Sequence, residues 1–165
     1  MQSDDDTLID PVCGMRVNAM QLALQYRQMQ FAFCSEQCRE RFLANPGLYV
    51  GMSGKPSLKQ MGHEVIKCRR LQLEEALPAG QDEALRNTLC AMMGIKNVRF
   101  DGLRWEISYD LLQATAEQIE NTITEFGVDL GGTWAEKLRR AFVHYVEETE
   151  LLNLENAGGS HSHQH

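Results

Sequence analysis

Hydrophobic and polar residues change rhythm several times along the chain. Leu22, Leu24 and Tyr26 alternate with polar positions, and so do Phe31 and Phe33. Period-two alternation on both sides of Arg27–Gln30 predicts a β-hairpin. Ser35 then precedes a run that reads as a helix to about Ala44, with Ser35 as its N-cap. Asn45-Pro46-Gly47 ends that run, because proline and glycine do not continue a helix.

A second region follows. Val65–Leu73 predicts a strand, although Arg69 and Arg70 interrupt it. Leu85, Leu89, Met92 and Met93 recur at helical spacing within 82–93. Val98, Phe100 and Leu103, then Trp105, Ile107 and Tyr109, flank Asp101-Gly102, which signals a hairpin. Thr115-Ala116-Glu117-Gln118 has the form of a capping box for a helix to Phe126, closed by Gly127. A last strand is expected near Val128–Leu130. A long helix starts at Thr133, and Trp134, Leu138, Ala141, Phe142, Tyr145, Thr149 and Leu152 line one face of it. That face is expected to pack on the sheet or on a partner.

The element order divides the chain into an acidic tail (1–9), a first unit (10–50), a linker rich in Gly, Ser, Pro and Lys (51–62), a second unit (63–156) and a histidine-bearing tail (157–165). The class is α+β. Strand, helix, hairpin, helix in the second unit is the βαββα order of a ferredoxin-like arrangement, with an extra long C-terminal helix.

Composition narrows the function. The 165 residues are 43% hydrophobic and 24% charged, ordinary globular values. Acidic and basic residues balance over 1–60, so the net charge of −7 lies in the second part. There is no basic footprint for nucleic acid and no polybasic stretch for a membrane surface. The N-terminus has no secretory pattern and no segment reaches the ~18 apolar residues of a membrane span. A cytoplasmic location is expected, where thiols stay reduced. No phosphate loop, nucleophile elbow or two-histidine metalloprotease motif occurs, so no enzyme is expected.

Five cysteines is an odd number, which does not suit a closed disulfide framework. Cys13 sits in Asp10-Pro11-Val12-Cys13-Gly14-Met15, a sequence for a tight turn. Cys34 and Cys38 are four apart across the predicted helix start, so both sulfurs can share one face, and the helix dipole there is expected to lower their pKa. Cys13, Cys34 and Cys38 are the candidate metal ligands. Three thiolates suit Cu(I), or Zn(II) with a fourth ligand from Met15, Asp10, water or the tail. Spacing alone leaves two other readings open. The three could be buried small hydrophobes, or Cys34 and Cys38 could be a redox pair.

DPVCGM (Asp10–Met15), FCSEQCRERF (Phe33–Phe42) and NPGLY (Asn45–Tyr49) together resemble the YHS domain, a small metal-associated module of the TRASH-like group. The family occurs beside copper- and heavy-metal-transporting ATPases and in small metal-handling proteins. The resemblance implies that Cys13, Cys34 and Cys38 are the ligands; the expected partner is a heavy-metal-transporting ATPase or a second copy. The chain departs from the family at Tyr26–Gln30, where a glycine-containing turn, often with a histidine nearby, is usual. The second unit resembles the heavy-metal-associated domain of copper chaperones, but its loop 74–81 lacks the CxxC that defines their metal site.

The remaining candidates are weaker. Cys68 and Cys90 are expected in the core, as are Met92 and Met93. His144 and Glu148, four apart on the last helix, are read as a solvated pair. His161, His163 and His165 form an accessory metal candidate, because alternate histidines on a tail can chelate Zn, Cu(II) or Ni.

Overall fold

A computed structural model describes residues 6–159 of the chain. They fall into two compact units: residues 6–63 with 153–159, and residues 64–152.

The first unit opens with β1 (Thr7–Ile9) and β2 (Arg16–Asn18), paired antiparallel with Leu8 opposite Val17. Thr7–Ile9 therefore form a strand where the acidic run suggested only tail. The predicted hairpin is present as β3 (Leu24–Tyr26) and β4 (Met29–Phe31). Its two-residue turn, Arg27-Gln28, has φ of 49° and 63°. Both residues thus occupy the left-handed region that a tight antiparallel turn requires and that glycine or asparagine enters more readily. Gln28→Gly is expected to stabilise this unit by about 1 kcal/mol. Slower amide exchange across β3 and β4 would show it, and unchanged or faster exchange would contradict it.

Helix α1 (Glu36–Ala44) begins where expected, with the Ser35 side chain accepting the Cys38 N–H. Its Phe42 is the centre of an aromatic cluster, with Phe31, Phe33, Tyr26 and Tyr49 rings at 4.9, 5.3, 5.6 and 6.1 Å. A short 3-10 turn, Pro46–Leu48, follows. Arg41 donates to the Asn45 side chain at 3.0 Å, and Asn45 and the Gly47 N–H donate to Glu155 at 3.0 and 2.8 Å. A Cβ on Gly47 would lie 2.9 Å from the Glu155 side chain, which would have to shift to admit it. Residues 51–62, read as a linker, are folded into this unit. Gln60 accepts the N–H groups of Gly51 and Ser57, and Ser57 is buried.

The second unit runs β5 (Ile66–Gln72), α2 (Gln81–Cys90), β6 (Ile95–Asp101), β7 (Arg104–Asp110), α3 (Ala116–Glu125) and α4 (Trp134–Gly159), whose residues from Asn153 belong to the first unit. The sheet order is β5-β7-β6, antiparallel throughout. Leu71, Trp105 and Phe100 lie in register across it, and the last two rings stack at 4.7 Å. Leu85 and Leu89 of α2 and Ile119 and Ile123 of α3 are buried with Val98, Ile107 and Tyr109 of the sheet. The Thr115–Gln118 capping box is complete.

Several expectations fail in this unit. Val128–Leu130 form no strand, so the described sheet has three. The stretch is short, and Gly131 and Gly132, with φ of 37° and 95°, turn the chain straight toward α4. Cys68 and Cys90 are exposed. Strand side chains alternate between faces, and Cys68 shares its face with exposed Arg70 and not with buried Leu71.

The largest difference is in α4. Its apolar face points to solvent: Leu138, Phe142, Tyr145 and Leu152 are all more than half exposed. The side that faces the unit carries polar groups beside the buried Leu151. Glu147, buried, accepts the Tyr109 hydroxyl and the Ala116 N–H, the latter at 2.8 Å. Glu120 of α3 is 2.8 Å from His144 and 3.0 Å from Arg69, and Arg140 donates to the Leu130 and Gly131 carbonyls. These buried polar groups require partners, and α4 supplies several of them: Glu147 for Tyr109 and Ala116, and His144 for Glu120. His144 is thus paired with Glu120 and not with Glu148.

Candidate metal centre

Each part of DPVCGM has a local reason. Asp10 follows β1 with its carboxylate fully buried. Its Oδ1 accepts the Val12 N–H at 2.8 Å and the Cys13 N–H at 3.3 Å, an Asx turn. Pro11 favours the turn by its fixed φ, and Val12 anchors it in the core with no exposure. The Gly14 N–H returns to the Asp10 carbonyl at 2.9 Å, and the Asp10 N–H reaches the Met15 carbonyl at 2.8 Å. Gly14 has φ of 81° with open space where a Cβ would stand, so conformation and not crowding calls for glycine. The loop is held in one shape with the Cys13 thiol on its rim.

Asp10 also joins this loop to the other cysteines. Its Oδ2 accepts the Cys34 N–H at 2.8 Å. Cys34 follows β4 and precedes the Ser35 cap, so Cys38 comes round one helical turn later. Gln21 fixes the same segment: its side chain donates to the Cys34 carbonyl, and its own carbonyl accepts the Phe33 N–H, both at 3.1 Å. No short-range signal in the sequence marks Gln21 for this role.

The three sulfurs converge. Cys13 and Cys34 Sγ are 3.4 Å apart, and Cys34 and Cys38 Sγ 3.6 Å. Ligand atoms of Asp10, Cys13, Cys34 and Cys38 all lie within 4.8 Å of one another. A tetrahedral ion with zinc–sulfur bonds of about 2.3 Å holds its sulfurs about 3.8 Å apart, so a few tenths of an ångström of adjustment would admit it. Cys38 is fully buried, whereas Cys13 and Cys34 are partly accessible. An ion would therefore reach the site from the Cys13–Cys34 side. Met15, half exposed, contributes its carbonyl to the turn. His161, His163 and His165 lie outside the described residues.

Packing three thiols together separates their acidities. A hydrogen bond from Cys38 holds the Cys13 thiol down at about 7. Burial pushes Cys34 up to about 11. Cys38 is pushed well above the ordinary thiol range by its bond to Cys13 and by burial. The helix start was expected to lower Cys34 and Cys38; burial and the neighbouring thiols outweigh it. The Asp10 charge raises Cys13 and Cys38 further. The site thus tends to carry one thiolate at neutral pH, and full ionisation needs a cation to balance it.

Residues 8–52 match the family model of the YHS domain. The matched stretch contains all four clustered residues. No curated protein and no solved structure is significantly similar to the chain. Among the described residues no helix is long and apolar enough to cross a membrane.

Proposed function

We propose that this protein binds a soft heavy-metal ion, Cu(I) or Zn(II), through Cys13, Cys34 and Cys38, and serves heavy-metal homeostasis or resistance. The convergence of the three sulfurs beside the Asp10 carboxylate carries the reading. Three thiolates form a donor set for soft or borderline ions. Asp10 has spent its oxygens on three backbone N–H groups; it organises the thiols and offers at most one remaining lone pair. That arrangement suits three-coordinate Cu(I) without help and Zn(II) with a fourth donor.

Two features favour an exchangeable ion over a structural one. The aromatic cluster around Phe42 gives the first unit core contacts that do not involve the ligands. Cys13 and Cys34 also keep the site open on one side. The runner-up is a regulatory or adaptor protein of a metal transporter or sensor, with a structural ion. Chelation distinguishes them, because a structural ion takes the fold of the first unit with it. The second unit's βαββα order supports a ferredoxin-like docking module, and its loop 74–81 holds no cysteine that would pass an ion on.

Competition between the reduced protein and a chromophoric chelator tests the proposal. One Cu(I) or Zn(II) per chain is expected to be held, and failure of both ions to bind would overturn it. Proton release gives an independent check. Cys34 and Cys38 are protonated at pH 8 and Cys13 is mostly ionised there. Filling a three-thiolate site therefore displaces two protons at pH 8 and nearly three at pH 6. Apparent affinity should climb about 100-fold per pH unit above 7 and more steeply below. Calorimetry in buffers of different ionisation enthalpy counts these protons, and release of fewer than two would mean fewer than three thiolate ligands.

A further inference from the structure

Five positions on the outward side of α4, Leu138, Phe142, Tyr145, Thr149 and Leu152, follow one another at intervals of four, three, four and three residues. That is the heptad seam of a helix that packs against another helix. The apolar members are 52%, 65%, 64% and 51% exposed in chain order, and Val146 beside them is 42% exposed. Nothing within the second unit can turn to cover them. Glu147 is committed to Tyr109 and Ala116, His144 to Glu120, and Lys67 to Glu150 at 2.6 Å, so the helix is fixed with this side out.

We propose that the seam is an interface with a second copy of this chain, the two α4 helices running antiparallel. Charge along the helix selects this occupant and its direction. Of the charges left exposed beside the seam, Lys137 and Arg139 lie at its N-terminal end and Glu148 toward its C-terminal end. Parallel helices would set like charges side by side; antiparallel helices set each basic end along the partner's acidic end. A two-fold axis between Phe142 and Tyr145 places Phe142 of one copy on the partner's Tyr145, and Leu138 on the partner's Thr149. Aromatic pairs of that kind add to the apolar area buried. Lys137 and Glu148 are three helical turns apart on one edge of the seam, so each copy's Lys137 falls near the partner's Glu148, and both are exposed in the single chain. The patch amounts to roughly 500 Å² per copy, about 1,000 Å² across the pair. That is the lower bound for a specific interface and implies a dissociation constant in the micromolar range.

Sedimentation velocity of the full chain between about 1 and 100 μM tests this, that being the range a small interface demands. The chain is expected to pass from monomer to dimer, and the double variant F142E/Y145E to stay monomeric with an unchanged circular dichroism spectrum. Charge exchange covers the case in which that variant fails to fold. K137E and E148K should each weaken the dimer several-fold, and K137E/E148K should restore it. A chain that remains monomeric throughout, as it would if a different protein covers the seam, overturns the proposal. So does a dimer that survives F142E/Y145E, or charge variants without reciprocal rescue.

Discussion

Changing Cys13, Cys34 and Cys38 together to serine is expected to remove metal binding while the first unit stays folded. Serine hydroxyls are hard, weak donors for Cu(I), and they do not ionise near neutral pH as the Cys13 thiol does at about 7. The loss should exceed about 10⁴-fold in affinity, given the 10–16 kcal/mol scale of thiolate-rich zinc sites. The fold should survive because the Phe42 cluster and the backbone N–H groups that Asp10 and Ser35 accept need no sulfur. Metal competition and amide exchange over residues 8–52, measured on the same sample, separate the two effects. Tight binding in the triple variant would remove these cysteines from the site. An unfolded first unit in the metal-free wild type would shift the account to the structural-ion reading.

Asp10→Ala should have the largest effect on stability. The carboxylate is fully buried and accepts N–H groups from Val12, Cys13 and Cys34. Alanine leaves three backbone donors without that acceptor, in a loop whose shape depends on it. Leaving a buried donor unsatisfied costs about 1–3 kcal/mol, so a loss of at least 3 kcal/mol is expected in the first unit. Metal affinity should also fall about 10- to 100-fold, the range for residues that orient ligands. Asp10→Asn should be intermediate: it keeps one oxygen and turns an N–H₂ toward donors that need an acceptor. Amide exchange at Val12, Cys13 and Cys34 reads the effect directly. If these amides stay as protected in Asp10→Ala as in the wild type, Asp10 does not hold the loop.

The site was more legible than the fold around it, and the reason is local. Cys13, Cys34 and Cys38 stand in short motifs whose turn and cap residues act on their immediate neighbours. Pro11, Gly14 and Ser35 do in the structure what their chemistry suggests. Asp10 was visible only as one possible ligand. Its three amide contacts include one 24 residues away, which no local pattern encodes. The Glu155 clamp on Asn45 and Gly47 spans about 110 residues and left no trace in the sequence pattern.

The α4 helix shows a different limit. Its seven-residue apolar rhythm was plain, but rhythm says which residues share a side and not which way that side faces. Buried Glu147 and Glu120 decided the direction, and charged residues carry no sign in a sequence that they will be inside. The Arg27-Gln28 turn was missed as a turn type because its residues are not those that favour positive φ. The three cysteines of the short motifs converge in the structure, whereas the proton distribution among them follows from burial and from the hydrogen bonds between the thiols.

X-ray absorption at the metal edge of the loaded, reduced protein bears most directly on the central claim. The account predicts a first shell dominated by three sulfur neighbours at about 2.2–2.3 Å for Cu(I) or Zn(II), lost in the C13S/C34S/C38S variant. A shell of nitrogen and oxygen atoms without sulfur would contradict it.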